Sequence, residues 1–211
     1  MASTKKRILA LAPHPDDIEF GCGASINKFI AHGAEVWYAA FSPCDKSLPT
    51  GYEKGEIYRE LDSSSAELGI KADHVLKFDF EVREFPRDRQ AILEKLIELR
   101  KTIDPDLILI PSRDDIHQDH AVICQEAIRA FKLKSILGYE LGWNLLETHL
   151  NYFIEVDAKD LNAKRKAIEC FKTQQNRSYA QEDFMTNLAK MRGAQVGLPF
   201  AEAFELIRWV D

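Results

Sequence analysis

Residues 7–26 read Arg-Ile-Leu-Ala-Leu-Ala-Pro-His-Pro-Asp-Asp-Ile-Glu-Phe-Gly-Cys-Gly-Ala-Ser-Ile. They begin with a short apolar run at 8–12 that is typical of a buried strand. The next two prolines end this strand, because proline lacks the N–H group that a sheet requires. The polar residues of the turn that follows are His14, Asp16 and Asp17. Ligands of open α/β sheets bind at the carboxyl ends of strands, so this turn is a candidate functional site.

Two other interpretations of this stretch remain open. In the first, the turn only precedes a helix, with Asp16 or Asp17 as the N-cap and Glu19 in the first turn. In the second, Gly21 to Gly23 form a nucleotide-binding loop. A dinucleotide motif needs its first glycine directly after the strand and a third glycine three residues beyond the second, where this chain has Ile26. Close packing of the helix on the sheet explains the two glycines better.

Length and composition favour one folded domain, residues 1–211. Hydrophobic residues make up 45% and charged residues 29% of 211, so the chain can bury a core without disulfides or structural metal. A formal net charge of −6, without a long basic block, argues against nucleic-acid or membrane-surface binding. No stretch approaches the roughly twenty apolar residues of a membrane span. The four cysteines are widely spaced, as expected for buried thiols of a cytoplasmic protein.

Strand-like and helix-like segments alternate along the chain. The pattern predicts strands at 8–12, 35–42, 75–80, 107–110, 135–141 and 152–156. It predicts helices from Phe20 to Gly33 and at 56–68, 88–103, 121–131, 161–171 and 182–192, the last one stopped by Gly193. The terminal apolar residues 206–210 suggest an edge element or a subunit contact. This alternation predicts an α/β fold, a Rossmann-like three-layer sandwich with a mostly parallel sheet and an active site at the carboxyl ends of its strands.

A second polar segment follows the fourth predicted strand, where residues 111–120 read Pro-Ser-Arg-Asp-Asp-Ile-His-Gln-Asp-His. His117 and His120 are three residues apart, which on a helix places both rings on one face. If strands one and four are neighbours, these rings face His14 to Asp17 across one crevice. Two histidines, a carboxylate and an open fourth position make up a catalytic zinc site. The alternative for this segment alone is a solvated helix start with Asp115 as its N-cap.

The two segments together resemble the LmbE-like, or PIG-L, family of zinc-dependent N-deacetylases. The resemblance rests on Pro-His-Pro-Asp-Asp-Ile-Glu-Phe-Gly-Cys-Gly at 13–23 and His-Gln-Asp-His at 117–120, and it extends over the whole chain. It implies a small-molecule substrate of the N-acetylglucosamine type. The loop at 43–55 departs from the family pattern, which leaves the substrate open. The other departures, none of which removes a candidate ligand, are Pro13, Gln118, Thr173 and Phe200.

The resemblance also implies roles for individual residues. By position, His14, Asp17 and His120 are the metal ligands, Asp16 is the general base and His117 is the electrophilic or acid partner. The chemistry agrees, because a carboxylate beside a zinc-activated water can accept its proton and an imidazolium can stabilise an oxyanion or protonate an amine. Carboxylate and imidazole ligands suit Fe²⁺ as well as Zn²⁺, so the ion remains open.

Four further residues are candidates for the predicted site. Asp119 is of a type that orients a histidine, and a surface position is its alternative. Arg59 matches a family arginine and offers a planar fork for sugar hydroxyls, a phosphate or a carboxylate, although an exposed helical arginine paired with a nearby glutamate is equally consistent. Glu140 and Trp143, near the end of the fifth strand, are of types that contact sugars, although Trp143 fits the core better.

The sequence therefore predicts a metal-dependent hydrolase that removes an N-acetyl group from an amino sugar or sugar conjugate. One alternative is a metal hydrolase of the same fold that acts on another amide or on an ester. The other is a non-catalytic nucleotide- or metal-binding module. Neither nucleic acid nor a membrane is an expected partner, and a homo-oligomer stays open.

Overall fold

Seven strands form one sheet in the computed structural model, which describes residues 5–211 apart from the side chain of residue 182. Residues 1–4 of the predicted domain lie outside this described part. The strands are β1 (Arg7–Ala12), β2 (Glu35–Ala40), β3 (Val75–Lys77), β4 (Leu107–Pro111), β5 (Ser135–Tyr139), β6 (Tyr152–Glu155) and β7 (Ala201–Arg208). The α-helices are α1 (Asp17–Ala31), α2 (Glu56–Glu67), α3 (Phe85–Ile103), α4 (Gln118–Ala130), α5 (Ala158–Cys170) and α6 (Glu182–Gln195).

The strand order is β3-β2-β1-β4-β5-β7-β6, with β1 and β4 side by side as the sequence predicts. Ile8 pairs with Leu107 and Ala10 with Leu109 in parallel register. The pairs β1–β2, β2–β3 and β4–β5 are also parallel, whereas β7 runs antiparallel to both of its neighbours. Because β1 and β4 point the same way, the loops that follow them meet at one edge of the sheet.

Helices cover both faces of the sheet. Successive residues of a strand point to opposite faces, so β1 contributes to two cores. Ile8 and Ala10 belong to the apolar cluster that includes residues of α1, α2 and α5, whereas Leu9 and Leu11 belong to the cluster that includes residues of α3 and α4. All four are fully buried. The predicted three-layer α/β sandwich is confirmed.

Helix α1, which begins at the candidate site, is broken at Cys22 (φ −151°, ψ 23°). Nζ of Lys164 donates to the carbonyl oxygen of Phe20 at 2.7 Å, and the Glu202 carboxylate accepts from the N–H groups of residues 24–25. Lys164 and Glu202 are both buried and form an ion pair at 2.7 Å. This pair satisfies backbone groups that the break frees, so the first turns of α1 keep a fixed direction.

Gly21 allows α1 to lie unusually close to the sheet. A Cβ atom at this position would be 2.4 Å from Cδ2 of Tyr139. Gly21 lies inside α1 and not in the turn directly after β1. The packing interpretation of this glycine is therefore correct, and its position does not match a nucleotide-binding loop.

Several element boundaries differ from the prediction. Strand β3 ends at Lys77 instead of continuing to Phe80, although the N–H groups of Phe78 and Phe80 still donate to the carbonyl oxygens of Ala40 and Phe41. Strands β2 and β5 each end two residues early. Helix α3 begins at Phe85 and not at Asp88, since a proline is tolerated in the first turn of a helix, where its missing N–H is not needed.

One prediction for the last third of the chain is wrong. Gly193 does not end α6, which continues to Gln195. A Cβ at Gly193 would lie 2.6 Å from the carbonyl oxygen of Leu198, so the glycine makes room for the chain that folds back over the helix. The terminal run does lie at an edge of the sheet, as predicted: β6 pairs with β7 only at residues 201–204, so Leu206 and Arg208 pair with β5 on one side alone. No helix within residues 5–211 is both long and apolar enough to cross a bilayer.

Candidate metal centre and cleft

A cleft of about 350 Å³ opens where β1 and β4 end. The turn after β1 contributes His14, Asp16 and Asp17 to its lining, and the segment after β4 contributes His117 and His120. All five residues predicted to bind metal or to act in catalysis therefore lie in the same cleft. The reason is topological, because two adjacent parallel strands deliver their following loops to one place.

Three ligand-type atoms converge at the floor of this cleft. Nδ1 of His14 is 3.1 Å from Nε2 of His120 and 3.4 Å from Oδ2 of Asp17, and Oδ2 of Asp17 is 3.3 Å from Nε2 of His120. A tetrahedral ion with bonds of about 2.0–2.1 Å separates its ligands by about 3.3 Å. The triangle formed by His14, Asp17 and His120 therefore has the dimensions of one face of such a site.

Two carboxylates outside the triangle orient its histidines. Nε2 of His14 is 3.1 Å from Oδ2 of Asp119, and Nδ1 of His120 is 2.7 Å from Oδ2 of Asp115. A carboxylate accepts a hydrogen bond from an N–H group, so the neutral ring of each histidine carries its N–H on the side of that carboxylate. The other nitrogen of each ring turns its lone pair into the triangle. The inner nitrogens are the two that face Asp17. Of the two positions predicted for Asp119, the structure shows the buried one beside a histidine.

Asp115 was missed as the partner of His120 and considered only as a helix cap. The N-cap of α4 is instead His117, whose Nδ1 accepts the N–H of Asp119 at 3.2 Å. Asp115 lies earlier in the loop, where Oδ1 accepts the N–H of His117 at 2.8 Å. Its buried side chain is available to His120 because the loop folds back before α4 begins.

His117 differs from the other two histidines of the cleft. Its Nδ1 is an acceptor, so a neutral ring carries its proton on Nε2 and offers a donor there. Nitrogens of His14, His117 and His120 nevertheless lie within 4.8 Å of one another, a grouping that could hold a metal ion. The described residues therefore offer two donor sets: one contains Asp17 and the other contains His117.

The field at the triangle favours positive charge. Burial lowers the pKa of His14, but Asp17 and the hydrogen bond to Asp119 outweigh it and raise the pKa to about 9. Burial likewise opposes the charged form of His120, yet Asp17 and Asp115 raise its pKa to about 10. Burial disfavours ionised Asp17, but the imidazoles of His120 and His14 hold its pKa well below its usual range. A site that stabilises protons in this way also stabilises a divalent cation.

Asp16 lies next to the triangle, at the N-cap position of α1, where its side chain makes no capping hydrogen bond. Burial and the negative charge of Asp17 raise the pKa of Asp16 to about 6. For His117, burial and the charges of His120 and His14 lower the pKa to about 4. The cleft thus pairs a carboxylate whose pKa is near neutrality with a histidine that is mostly uncharged.

The turn that carries these residues is held from below. The hydroxyl of Tyr38 lies 2.6 Å from the carbonyl oxygen of Pro15 and 2.9 Å from Oε2 of Glu19, while Ser64 Oγ donates to Oε1 of Glu19 at 2.6 Å. Tyr38, Glu19 and Ser64 are fully buried. They fix the peptide group between Pro15 and Asp16, and thus the position of the Asp16 backbone.

One wall of the cleft is aromatic. Trp143 and Tyr179 stack with ring centroids 3.9 Å apart and planes at 8°, and Phe20 meets both rings edge-on. All three line the cleft. Trp143 therefore packs on the core, as the sequence favoured, and also presents a surface to a ligand. Tyr179 was not predicted, because its segment carries no motif.

Two residues predicted to contact a substrate lie elsewhere. Arg59 projects from α2 and pairs with Glu56 on the surface, with 57% of its side chain exposed. Glu140 is buried and forms an ion pair with Arg192. Neither is among the residues that line the cleft. The charge of Arg59 is paired with Glu56 on the preceding turn, and the charge of Glu140 is paired with Arg192 on α6.

The fold and the cleft define an α/β protein with a candidate metal centre at the carboxyl ends of its strands. Residues 9–132 match the PIG-L family, described as GlcNAc-PI de-N-acetylase, and the chain belongs to this family. The predicted family is confirmed. Family membership supports an enzyme that acts on N-acetyl amides.

Relatives and solved structures agree with this assignment. An Escherichia coli K12 protein described as uncharacterized deacetylase YaiS is 30% identical over 178 residues, which cover 82% of this chain and 94% of that protein. A diacetylchitobiose deacetylase of Thermococcus kodakarensis is 34% identical over 113 residues, covering 50% and 40%. The inhibitor-bound N,N'-diacetylchitobiose deacetylase of Pyrococcus horikoshii shares the fold, with a TM-score of 0.77 at 21% identity over 96% of this chain and 84% of that one.

Proposed function

We propose that this protein is a metal-dependent hydrolase that removes the acetyl group from an N-acetylated amino sugar or sugar conjugate. The observation that carries the proposal is the triangle of His14, Asp17 and His120, with edges of 3.1–3.4 Å. A divalent ion bound there supplies Lewis acidity, which favours attack of water on an amide carbonyl. The ion we propose is Zn²⁺, with Fe²⁺ as the alternative, because imidazole and carboxylate ligands suit both.

Asp17 is a better third ligand than His117. Its Oδ2 lies within 3.4 Å of both imidazole nitrogens, whereas the nitrogens of the set with His117 lie within 4.8 Å of one another. Asp17 also adds a negative charge, and the Nε2–H of His117 is a donor and not a lone pair. The donor set of two histidines and one carboxylate leaves a position open, as catalytic zinc sites require.

Asp16 is the proposed general base. Its side chain lines the cleft beside Asp17 and is not used as a helix cap. A pKa of about 6 leaves the carboxylate ionised at neutral pH and still basic enough to accept a proton from the attacking water. The hydrogen bond from Tyr38 to the carbonyl oxygen of Pro15 fixes the backbone from which Asp16 projects.

His117 is the proposed donor to the reacting carbonyl group. Its Nδ1 is fixed by the N–H of Asp119 and its backbone N–H by Asp115, so the ring orientation is set before substrate binds. Its Nε2–H can donate a hydrogen bond to the developing oxyanion, while the proton that Asp16 accepts from the attacking water can pass to the departing amine. Asp119 and Asp115 act through the histidines that they orient.

The sugar class is supported by the relatives and by the cleft wall. The Thermococcus kodakarensis relative is described as a diacetylchitobiose deacetylase. The stacked rings of Trp143 and Tyr179 offer an apolar face of the kind on which a sugar ring packs. Arg59 and Glu140 are left out of this proposal because neither lines the cleft.

Acetate release tests the proposed reaction. The purified protein, loaded with Zn²⁺ or Fe²⁺, is incubated with N-acetylglucosamine, diacetylchitobiose, an N-acetylated amino acid and an acetate ester. We expect acetate and a free amine from the amino sugars and a loss of turnover after chelation. Turnover confined to the ester or the amino acid would overturn the sugar assignment, and turnover that survives complete metal removal would overturn the metal-dependent reaction.

A further inference from the structure

Two arginines, Arg83 and Arg177, line the cleft that contains the candidate metal centre. Both are exposed, and they come from different parts of the chain: Arg83 precedes α3, and Arg177 lies between α5 and α6. We propose that they form a subsite for an anionic group, a carboxylate or a phosphate, on the N-acetylated substrate. This inference rests on the proposed function and narrows its substrate to an anionic sugar derivative.

The arginines of this chain are mostly held by carboxylates. Those in ion pairs are Arg7, Arg59, Arg87, Arg89, Arg113, Arg129, Arg165 and Arg192. Acidic residues outnumber basic ones by 34 to 28, so a partner is usually at hand. Among the described side chains, however, Arg83 and Arg177 have no carboxylate within ion-pair distance. Their guanidinium groups are available to a ligand.

Two other arginines also lack a carboxylate partner, and they show what the cleft adds. Arg100 donates to the carbonyl oxygen of Ala130, and Arg208 donates to that of Phe131. Neither lines the cleft. Contact with a main-chain carbonyl group does not separate the two pairs, since Arg83 also donates to the carbonyl oxygen of Lys46; the difference is the position in the cleft. Among the described arginines, Arg83 and Arg177 are the two that both lack a carboxylate partner and line the cleft.

Arg83 is fixed relative to the metal centre. Its backbone is left-handed (φ 71°), and its N–H donates to Oδ2 of Asp119 at 2.7 Å, the same oxygen that faces Nε2 of His14. Its carbonyl oxygen accepts from the side chain of Gln118. The Nη2 group reaches the loop after β2, where it donates to the carbonyl oxygen of Lys46 at 3.2 Å and to Ser47 Oγ at 3.1 Å. These contacts use one terminal nitrogen and leave the Nε and Nη1 donors for a ligand.

Arg177 reaches the cleft on the segment that also provides the aromatic wall. Its backbone N–H donates to the carbonyl oxygen of Gln174 at 3.0 Å, and Gln174 also lines the cleft. Two residues further on, Tyr179 stacks on Trp143. The ring stack thus holds this loop at the cleft, and Arg177, Trp143 and Tyr179 all line it.

The acidic and the basic side chains of the cleft come from different segments of the chain. The acidic residues in its described lining are Asp16 and Asp17, and both lie in the turn after β1. The cationic side chains come from two other loops. A guanidinium offers a planar pair of donors that matches a carboxylate or a phosphate better than a neutral hydroxyl. A substrate with its amide at Asp16 and an anionic group further out fits this distribution.

Kinetics with matched substrates test the inference. The neutral pair is N-acetylglucosamine and its methyl glycoside; N-acetylmuramic acid adds a carboxylate, and N-acetylglucosamine 1-phosphate and 6-phosphate add a phosphate. We expect at least one anionic substrate to have a KM about tenfold or more below that of the neutral pair, because charge-assisted hydrogen bonds favour it. Its KM should also rise with salt, unlike that of a neutral substrate. The carboxylate and phosphate arms identify the group.

Variants localise the effect. Arg83→Gln and Arg177→Gln should raise KM for the preferred anionic substrate at least tenfold more than KM for the methyl glycoside, with unchanged metal content. Arg100→Gln is the control and should change neither. Equal KM values for charged and neutral substrates, or equal effects of the variants on both, would overturn the subsite and leave the deacetylase intact. Acetate from none of the sugars would overturn the proposed function itself. If a variant does not fold, the salt dependence of KM for the anionic substrate, measured on the unaltered protein, tests the subsite instead.

Discussion

Nε2 of His120 lies 3.1 Å from Nδ1 of His14, although 106 positions separate the two residues in the chain. Each ring is oriented by its own carboxylate, Asp115 for His120 and Asp119 for His14. Because the outer N–H of each ring donates to its carboxylate, two nitrogen lone pairs face each other at this distance. A shared cation between them, completed by Asp17, removes that conflict, and this makes metal binding the first property to measure.

His120→Ala should remove stoichiometric metal binding, because it deletes one corner of the triangle with Asp17 and His14. The loss of affinity should exceed the 10–100-fold that follows removal of an orienting partner. Metal analysis of the purified protein after dialysis measures it. His149→Ala is the matched control, since His149 is an exposed histidine paired with Asp114. A full equivalent of ion in His120→Ala would contradict the site.

Asp115→Asn should weaken metal binding by about 10–100-fold while the fold persists, since the variant keeps the size of the side chain but removes the charge that supports His120. Competition with a chelator of known affinity measures the change. Asp114→Asn, one residue earlier, serves as control because Asp114 contacts the exposed His149. Equal affinities for the two variants would show that Asp115 has no part in orienting the ligand.

Asp16→Asn should separate metal binding from turnover. The ion should remain, because Asp16 is outside the triangle, whereas kcat should fall by about 10²–10⁴, the usual contribution of a general base. Acetate release and metal content are measured on the same preparation. Asp17→Asn, by comparison, should lose both metal and activity. Undiminished kcat in Asp16→Asn would remove this residue from the proton transfer.

Local sequence signals predicted the class of fold and the meeting of the two turns that line the cleft. The apolar run of β4 is buried throughout, as a parallel strand covered on both faces must be. Prolines after β1 mark the point at which the chain leaves the sheet. Polar residues that follow two neighbouring parallel strands lie close together. The sequence predicted β1 and β4 as neighbours, and it therefore predicted that His14 and His120 lie close together.

Partners that depend on loop paths were not predictable. The ion pair of Glu140 with Arg192 joins residues 52 positions apart, and no local pattern indicates it. Asp115 and Asp119 are similar in sequence context, yet each serves a different histidine because the loop turns back before α4. A glycine near the end of a helix signals a stop, but Gly193 serves close packing instead.

Gly193→Ala should destabilise the protein. Alanine is intrinsically better than glycine in a helix by about 1 kcal/mol, which favours the variant. Against this, the new Cβ would lie 2.6 Å from the carbonyl oxygen of Leu198, and forcing extra atoms into a packed site costs typically 1–3 kcal/mol. We expect a net loss of about 1 kcal/mol by urea unfolding. Asn187→Ala, on the exposed side of α6, should be neutral or stabilising; a gain of stability in Gly193→Ala would contradict the close approach.

Glu19→Gln should change how stability depends on pH. Burial raises the pKa of Glu19 from an ordinary 4.5 to about 8, against the opposing hydrogen bonds of Ser64 and Tyr38. The hydrogen bonds of Tyr38 agree with this shift. Its hydroxyl group has a single proton, and if that proton is donated to the carbonyl oxygen of Pro15, the hydrogen bond between the hydroxyl oxygen and Oε2 of Glu19 needs a proton on Glu19. The folded protein therefore binds more protons than the unfolded chain between these pKa values. The contribution of the neutral Glu19 carboxyl group to the free energy of unfolding is complete below about pH 4.5 and is lost as pH rises towards 8.

Glutamine cannot ionise and keeps the shape of the neutral acid, so Glu19→Gln should gain stability relative to the unaltered protein as pH rises. We expect a relative gain of at least about 1 kcal/mol between roughly pH 5 and pH 7. Urea unfolding of both proteins, each freed of metal by a chelator, measures the difference, in which all other titrating groups cancel. Parallel stability curves for the two proteins would mean that Glu19 is ionised in the fold, and the hydrogen bond to Pro15 would then have to be given up by Tyr38.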